Sequence, residues 1–417
     1  MLIHSASQLL CLSEKPQRGS RLGELATIED GAVLVRDERI EEVGASTDLL
    51  RRYPQEQKVD AQQRVVMPGF IDPHTHLIWA GDRAQEFTLR LEGKSYMHIM
   101  AAGGGIHSTV KATRAASDTE LKAATEQRAW SALRHGTTTL EAKSGYALEP
   151  QGELRLLKIL MELRDSMPLD ICPTYLGAHA VPPEFSGDTD GYVRQLVEQA
   201  LPDLKEWWQR QYKDDPLPFV DVFCEPDVFN FEHTNTILTA AKTLGFPLKI
   251  HTDEFENIGG ASLAVKLRAV SADHLVKTSE ADIQQLAASD TVAVALPCTP
   301  FGLAEREYTP AKKIIAADGL LALASDLNPG TAWCGNMQFV IALACRYLQL
   351  TPAQAIAGAT INAAAAIKME EKVGSLTPGK QADILILDIP DYHHLGYRFG
   401  ENLVHAVIKK GRLIDFS

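Results

Sequence analysis

Between Phe70 and Asn328 the chain alternates eight short apolar or β-branched runs with helical patterns of about ten to twenty residues, and few folds accept that order. The runs are Phe70–Asp72, Thr137–Ala142, Asp170–Gly177, Phe219–Phe223, Pro247–Ile250, Arg268–Ala272, Thr291–Leu296 and Leu320–Ala324. Strands that alternate with helices form βαβ units around a parallel sheet. Eight units over about 260 residues have the size of a (β/α)8 TIM barrel, an α/β fold. The intervening stretches carry helix signals. SDTELKAATEQRAWSALRHG at 117–136 opens on Ser117, has Glu120 three residues later, and closes on Gly136.

Both ends of the chain have a different texture. DGAVLVRDERIEEVG at 31–45 is two β-rich runs around the polar turn Arg36 to Arg39, and KVDAQQRVVMPG repeats the style. After a helical pair at about Gly335–Leu348 and Pro352–Ile367, the same texture returns in VGSLTPGKQADILILD and LVHAVIKKGRLIDF. The simplest packing builds one small β-sandwich domain from residues 1–66 and 368–417, with the barrel, residues 67–367, inserted between them. There is no internal repeat, low-complexity tract or obvious flexible linker.

Charge and cysteine usage narrow the function classes. A formal net charge of -13 offers no basic footprint for nucleic acid or an anionic membrane surface. An acidic substrate therefore needs a local cationic clamp. The six cysteines contain no CxxC pair, which argues against a disulfide framework and against a cysteine-ligated zinc site. No basic region precedes the short apolar run near the N-terminus, and no segment reaches the ~18 apolar residues of a membrane helix. The expectation is a soluble cytoplasmic protein.

In a barrel of this kind the chemistry sits at the carboxyl ends of the strands. There the sequence places His74 and His76, then Glu141, Lys143 and Tyr146, then His179, Glu225, His251 with Glu254, His274, and Asp326 with Asn328. Five of the thirteen histidines fall at these ends. In an extended strand, residues i and i+2 share a face, so His74 and His76 point into one cavity, and neutral imidazole suits zinc and other first-row metals. An HxH pair alone arises by chance; the further ligands at other strand ends carry the argument. His274 and Glu254 can alternatively orient ligands, and His179 can be structural. Lys143 reads either as a substrate contact or as a solvated loop charge. The Gly103–Gly105 triplet lacks both the Lys-Ser/Thr of a P-loop and the GxGxxG spacing, and reads as a close-packed loop over the site.

PGFIDPHTH, KIHTDE, SADHL and ASDLNPG together resemble the ligand order of the amidohydrolase superfamily. GDRAQEF at 81–87, AAGGGIHSTVKATR at 101–114, EAKSGYAL at 141–148, YLGAHAVPPE at 175–184 and SDLNPGT at 325–331 resemble, more narrowly, the imidazolonepropionase family within it. The resemblance implies one metal, zinc or iron, held by His74, His76, His251 and Asp326. Binuclear relatives use a carbamylated lysine after strand four, where this chain has Glu225, so a mononuclear site is expected. The implied reaction is hydrolysis of 4-imidazolone-5-propanoate to N-formimidoyl-L-glutamate in histidine degradation.

In that scheme His274 helps activate water, Asp326 carries a proton to the leaving nitrogen, and Glu254 holds the ring nitrogens. Arg83 pairs with the propanoate carboxylate, Tyr146 and His179 complete the pocket, and Asn328, Gly330 and Thr331 line the substrate. The resemblance further implies a small-molecule substrate and a homodimer. A metal-dependent deaminase of guanine or cytosine type shares the HxH, HxDE, DH and SD pattern, but a neutral base has no use for Arg83 as a carboxylate clamp. A metal-free scaffold protein would be marked by lost ligands, and none is missing.

Overall fold

The structure is a computed structural model and describes residues 1–93 and 104–416. Strands β1 (Phe70–Asp72), β2 (Thr137–Lys143), β3 (Asp170–Ala178), β4 (Phe219–Cys224), β5 (Lys249–Thr252), β6 (Ser271–His274), β7 (Val292–Ala295) and β8 (Leu321–Leu323) form a parallel sheet in chain order. The ring closes at its carboxyl rim. Thr75 bridges Leu327, Asp326 N donates to His74 O at 3.1 Å, and His76 N donates to Leu327 O at 2.9 Å. Just below, the Asp72 carboxylate accepts both the amide and the hydroxyl of Ser325. The seam of the barrel therefore runs directly beneath His74, His76 and Asp326.

Each expected run becomes a strand, and the shifts have local causes. Pro247 has no amide to donate, and the β5 strand starts at Lys249. Arg268 adopts a left-handed conformation, φ 57°, as the C-cap of helix Gly260–Leu267, so β6 starts only at Ser271. The helix Asp118–Arg134 carries the expected capping box, with Ser117 and Glu120 bonding each other's backbone amides. The expected helix 352–367 splits into Pro352–Gly358 and Ile361–Ala365. Between them, the Ala359 carbonyl turns to accept the Ile71 amide of β1 at 3.0 Å instead of continuing the helix.

The two ends of the chain meet in one eight-stranded sheet. Ile384–Leu387 pairs antiparallel with Val65–Pro68, which pairs in parallel with Leu2–Leu10. Val65–Pro68 straddles the boundary expected at residue 66. The sheet curls, because Val33 and Ile40 from one side share a buried cluster with Ile384, Ile386 and Ile408 from the other. Only Gly69 separates this sheet from β1, and a Cβ there would stand 2.1 Å from the Thr138 hydroxyl. Among the described residues no helix is long and apolar enough to cross a membrane.

The alternation of side chains along a strand sorts the barrel into two faces. Leu140, Ala142, Val220, Val222, Ile250 and Ala272 belong to the large apolar cluster that also holds helix residues such as Leu133, Leu160 and Leu238. The intervening positions are Glu141, Lys143, Asp221, Lys249, His251 and Asp273, all buried. Barrel interiors are ordinarily filled by branched apolar side chains. This one carries charge beneath its rim.

Candidate metal centre and substrate pocket

His74, His76, His251 and Asp326 converge at the closed seam, all buried. His74 Nε2 and His76 Nε2 each lie 3.4 Å from Asp326 Oδ1, and His76 Nε2 lies 3.3 Å from His251 Nε2. With metal–ligand distances of about 2.1 Å, the edge of a tetrahedral shell is about 3.4 Å. Three of the donor separations have that length, His74, His76 and Asp326 form one group that could hold an ion, and three imidazoles with a carboxylate suit a borderline first-row cation. Burial depresses His76 to about 4, and burial also depresses His251, against the pull of Asp221. Burial acts to raise Asp326, but its contacts with His74 and His76 and the proximity of His274 hold it well below the usual carboxylate range.

His274 borders the same cluster. His74, His251 and His274 form a second group whose ligand atoms lie within 4.8 Å of one another, overlapping the group of His74, His76 and Asp326. His274 has φ 82° and Asp326 φ 55°, left-handed values that residues of these types adopt at a cost when their surroundings fix them. Thr299 donates to Asp326 Oδ2 at 2.5 Å, so both carboxylate oxygens are spoken for.

A layer of charge supports the histidines from below. His74 Nδ1 bonds Asp273 Oδ2 at 2.6 Å, with Lys249 Nζ 3.4 Å from that oxygen. Asp221 Oδ2 lies 3.0 Å from His251 Nδ1 and accepts from Lys143 Nζ at 2.8 Å. Carboxylates behind ligand histidines fix the ring tautomer and raise ligand basicity. Lys143 is therefore neither a substrate contact nor a solvated loop charge, because its side chain is fully buried. Asp221 and Lys249 escape the strand-end reading, since they sit inside the apolar runs, and Asp273, directly after one, is passed over for its neighbour His274. Their signal is a charged residue within a buried strand, as in FVDVFC.

Glu254 reaches the cluster from the loop after β5. Its Oε2 lies 3.6 Å from His274 Nδ1, and burial, with Asp326 and Glu225 nearby, pushes its carboxyl well above the ordinary value. Glu225 is occupied elsewhere: its carboxylate accepts the backbone amides of Glu254, Phe255 and Glu256. His179 stacks on His76 with centroids 4.7 Å apart and donates from Nδ1 to Gly145 O at 2.9 Å, which leaves Nε2 as an acceptor. The buried Tyr146 packs against both rings.

On the other side of the rim, Arg83 Nε donates to Glu86 Oε2 at 2.8 Å, and Glu86 Oε1 accepts the Gly105 amide and the Ser108 hydroxyl. Arg83, Gly330 and Thr331 line a cavity of about 280 Å³. Glu254 and Thr299 line another of about 180 Å³. Asn328 spends its amide on its own loop, donating to Asp326 O and Thr331 Oγ1 and accepting from the amides of Gly330 and Thr331. Of the glycine triplet, Gly103 lies outside the described residues, as do the two alanines before it; Gly105 has φ 76° and caps helix Ile106–Ala115.

Known proteins are similar to this chain over nearly its whole length. Residues 231–414 and 57–168 match models of the Amidohydrolase family, and residues 31–55 match the Imidazolonepropionase-like composite domain of bacteria. The imidazolonepropionase of Herpetosiphon aurantiacus is 48% identical over 414 residues, 99% of this chain and 96% of that protein. That of Parabacteroides distasonis is 44% identical over 99% of this chain and 98% of its own length. Among solved structures, an adenosine deaminase from Xanthomonas campestris with bound zinc superposes with a TM-score of 0.69 at 20% identity, covering 100% of this chain and 94% of that one. E. coli guanine deaminase gives 0.68 at 16% identity, covering 99% of both chains. These last two likenesses show the fold.

Proposed function

The chain belongs to the imidazolonepropionase family of amidohydrolases, and on that premise we propose how its residues divide the hydrolysis of 4-imidazolone-5-propanoate to N-formimidoyl-L-glutamate. The enzyme is a hydrolase of a cyclic amide C–N bond in histidine degradation. The observation that carries the reading is the spacing of the donor atoms of His74, His76, His251 and Asp326, three of whose separations match the edge of a coordination shell. These four would hold a single divalent ion, zinc or iron. When bound, such an ion supplies Lewis acidity and makes hydroxide available near neutral pH by lowering the pKa of water towards ~7.

The chain's own groups do the rest. His274, kept neutral by burial, is the base for the water proton. Asp326 relays that same proton from His274 to the departing ring nitrogen, so the proton taken from water ends on the leaving group. Glu254, whose carboxyl burial pushes well above its ordinary value, holds the ring nitrogens by hydrogen bonds. Arg83 supplies a planar fork for the propanoate carboxylate, the local cationic clamp that an acidic protein needs. His179 offers Nε2 and Tyr146 its hydroxyl at the pocket wall, and the Asn328 loop presents Gly330 and Thr331. Glu225 is consumed by backbone amides, which supports a single ion. We further propose the division into a catalytic barrel and a composite terminal domain, and a cytoplasmic homodimer. The six cysteines are all unpaired, which supports that compartment.

The test is metal analysis of the purified protein together with spectrophotometric decay of imidazolonepropanoate. Stoichiometric metal and turnover are expected. Activity on guanine or cytosine without activity on imidazolonepropanoate would overturn the substrate assignment.

A further inference from the structure

Lys143 has no part in the reaction just described, yet it is placed between two of the segments that bring ligands to the metal. Its side chain is fully buried at the end of β2, where Nζ donates to Glu141 Oε1 at 2.7 Å and to Asp221 Oδ2 at 2.8 Å. The two carboxylates lead to different ligands. Asp221 Oδ2 is the oxygen that lies 3.0 Å from His251 Nδ1. Glu141 uses its second oxygen to accept the amide of Thr75 at 3.1 Å, and its carbonyl accepts the Thr75 hydroxyl at 2.6 Å. Thr75 is the residue between His74 and His76. The Lys143 amide completes the connection by donating to Thr75 O at 2.9 Å.

One ammonium thus sits where the β1 pair of histidines and the β5 histidine are both gripped. A bulky apolar residue would fill such a site at less desolvation cost, because replacing buried ion pairs by apolar residues is often neutral or stabilising. Lys249 is not equivalent. It touches Asp273 alone of the charged layer, and otherwise bonds Ser271 Oγ and the Ala366 carbonyl.

We propose that Lys143 is a positioning residue of the metal centre, setting the separation between His251 and the His74–His76 pair by holding Asp221 and Glu141 on one cation. Without it, two buried carboxylates repel, and the His251 ring held by Asp221 moves apart from the Thr75 segment held by Glu141. The inference rests on the reading of this cluster as a metal site.

The test uses the full-length protein, stripped with chelator and titrated with cobalt(II) against a chromophoric competitor. The visible spectrum at saturation reports ligand geometry. Lys143→Met is expected to bind cobalt 10- to 100-fold more weakly, the range for loss of groups that orient metal ligands, with shifted visible bands. Should that variant not fold, Lys143→Met/Glu141→Gln keeps the net charge of the group and removes the repulsion, and is expected to bind cobalt more weakly than wild type through loss of the bridge, though by a smaller factor. A folded variant that has wild-type cobalt affinity and spectrum, even with a lower Tm, makes Lys143 a stability element and overturns the proposal. Failure of the wild-type protein itself to bind cobalt would instead overturn the metal-centre reading, and the inference with it.

Discussion

Glu225 Oε1 accepts the backbone amide of Glu254 at 2.8 Å, while its Oε2 accepts that of Glu256 at 3.1 Å. The carboxylate after β4 therefore anchors the loop that carries the residue proposed to hold the ring nitrogens. A strand-four group that bridges metals in binuclear relatives serves here as a backbone clamp. Hydrogen bonds to a charged group are worth about 1.5–3 kcal/mol. Glu225→Gln turns an amide group towards backbone donors, and should lower kcat about tenfold by displacing Glu254. Metal content, read by elemental analysis, should stay at the wild-type level. Loss of metal would put Glu225 in the ligand shell.

His251→Ala removes one of the four proposed protein ligands without touching the outer apolar face of β5, where Ile250 packs. Most of the metal and the activity should be lost while the far-ultraviolet circular dichroism is retained. Glu254→Gln is the contrasting case, with full metal and a lower rate. Full occupancy in the first variant, or unchanged kinetics in the second, would reverse the assignment concerned.

The barrel was legible because strands and helices alternate with different periods, and the clustered histidines because they follow apolar runs. What sequence alone did not reveal lies in the inward register of those runs. Asp221, Lys249 and Asp273 are charges within strands, and their partners are 78, 22 and 199 residues away for the Lys143–Asp221, Lys249–Ser271 and His74–Asp273 bonds. No local pattern marks such pairing; only closing the barrel brings it about. The break at Ala359 was hidden for the same reason, since its cause is the distant amide of Ile71. The bonds by which Asn328 ties its amide into its own loop were likewise not marked by any local pattern.

Acid stability should report the junction between barrel and terminal sheet. Asp170, at the start of β3, accepts from the buried Lys409 at 2.7 Å and lies 3.0 Å from Lys410 Nζ. Burial acts to raise its carboxyl, but Lys409 and Lys372 hold it well below the usual range. A depressed folded value means that the stabilisation is present above the unfolded value of about 3.9 and is lost as pH falls through that value towards the folded one. Asp170→Asn should cost about 3 kcal/mol at neutral pH, seen as a Tm lower by a few degrees in metal-free protein. The gap between variant and wild type should narrow below about pH 4. A gap independent of pH would assign the loss to packing instead.

The last prediction concerns substrate class and turns on the contact between Arg83 and Gly330. Glu86 holds Arg83 through Nε, and a Cβ added at Gly330 would stand 2.3 Å from Arg83 Nη1. The absence of a side chain at position 330 is thus what lets the guanidinium lie where it does, beside the loop that carries Asp326. A charge-assisted hydrogen bond of about 1.5–3 kcal/mol corresponds to roughly 10- to 150-fold in kcat/KM. Arg83→Met should lose that factor on imidazolonepropanoate with metal content intact, whereas an analogue lacking the carboxylate should be turned over about equally by both proteins. Gly330→Ala should reproduce part of the loss on the anionic substrate alone, because its methyl group displaces the flexible end of Arg83 without removing the charge. Equal impairment on both compounds in Arg83→Met would make the arginine structural and place the carboxylate clamp elsewhere in the pocket.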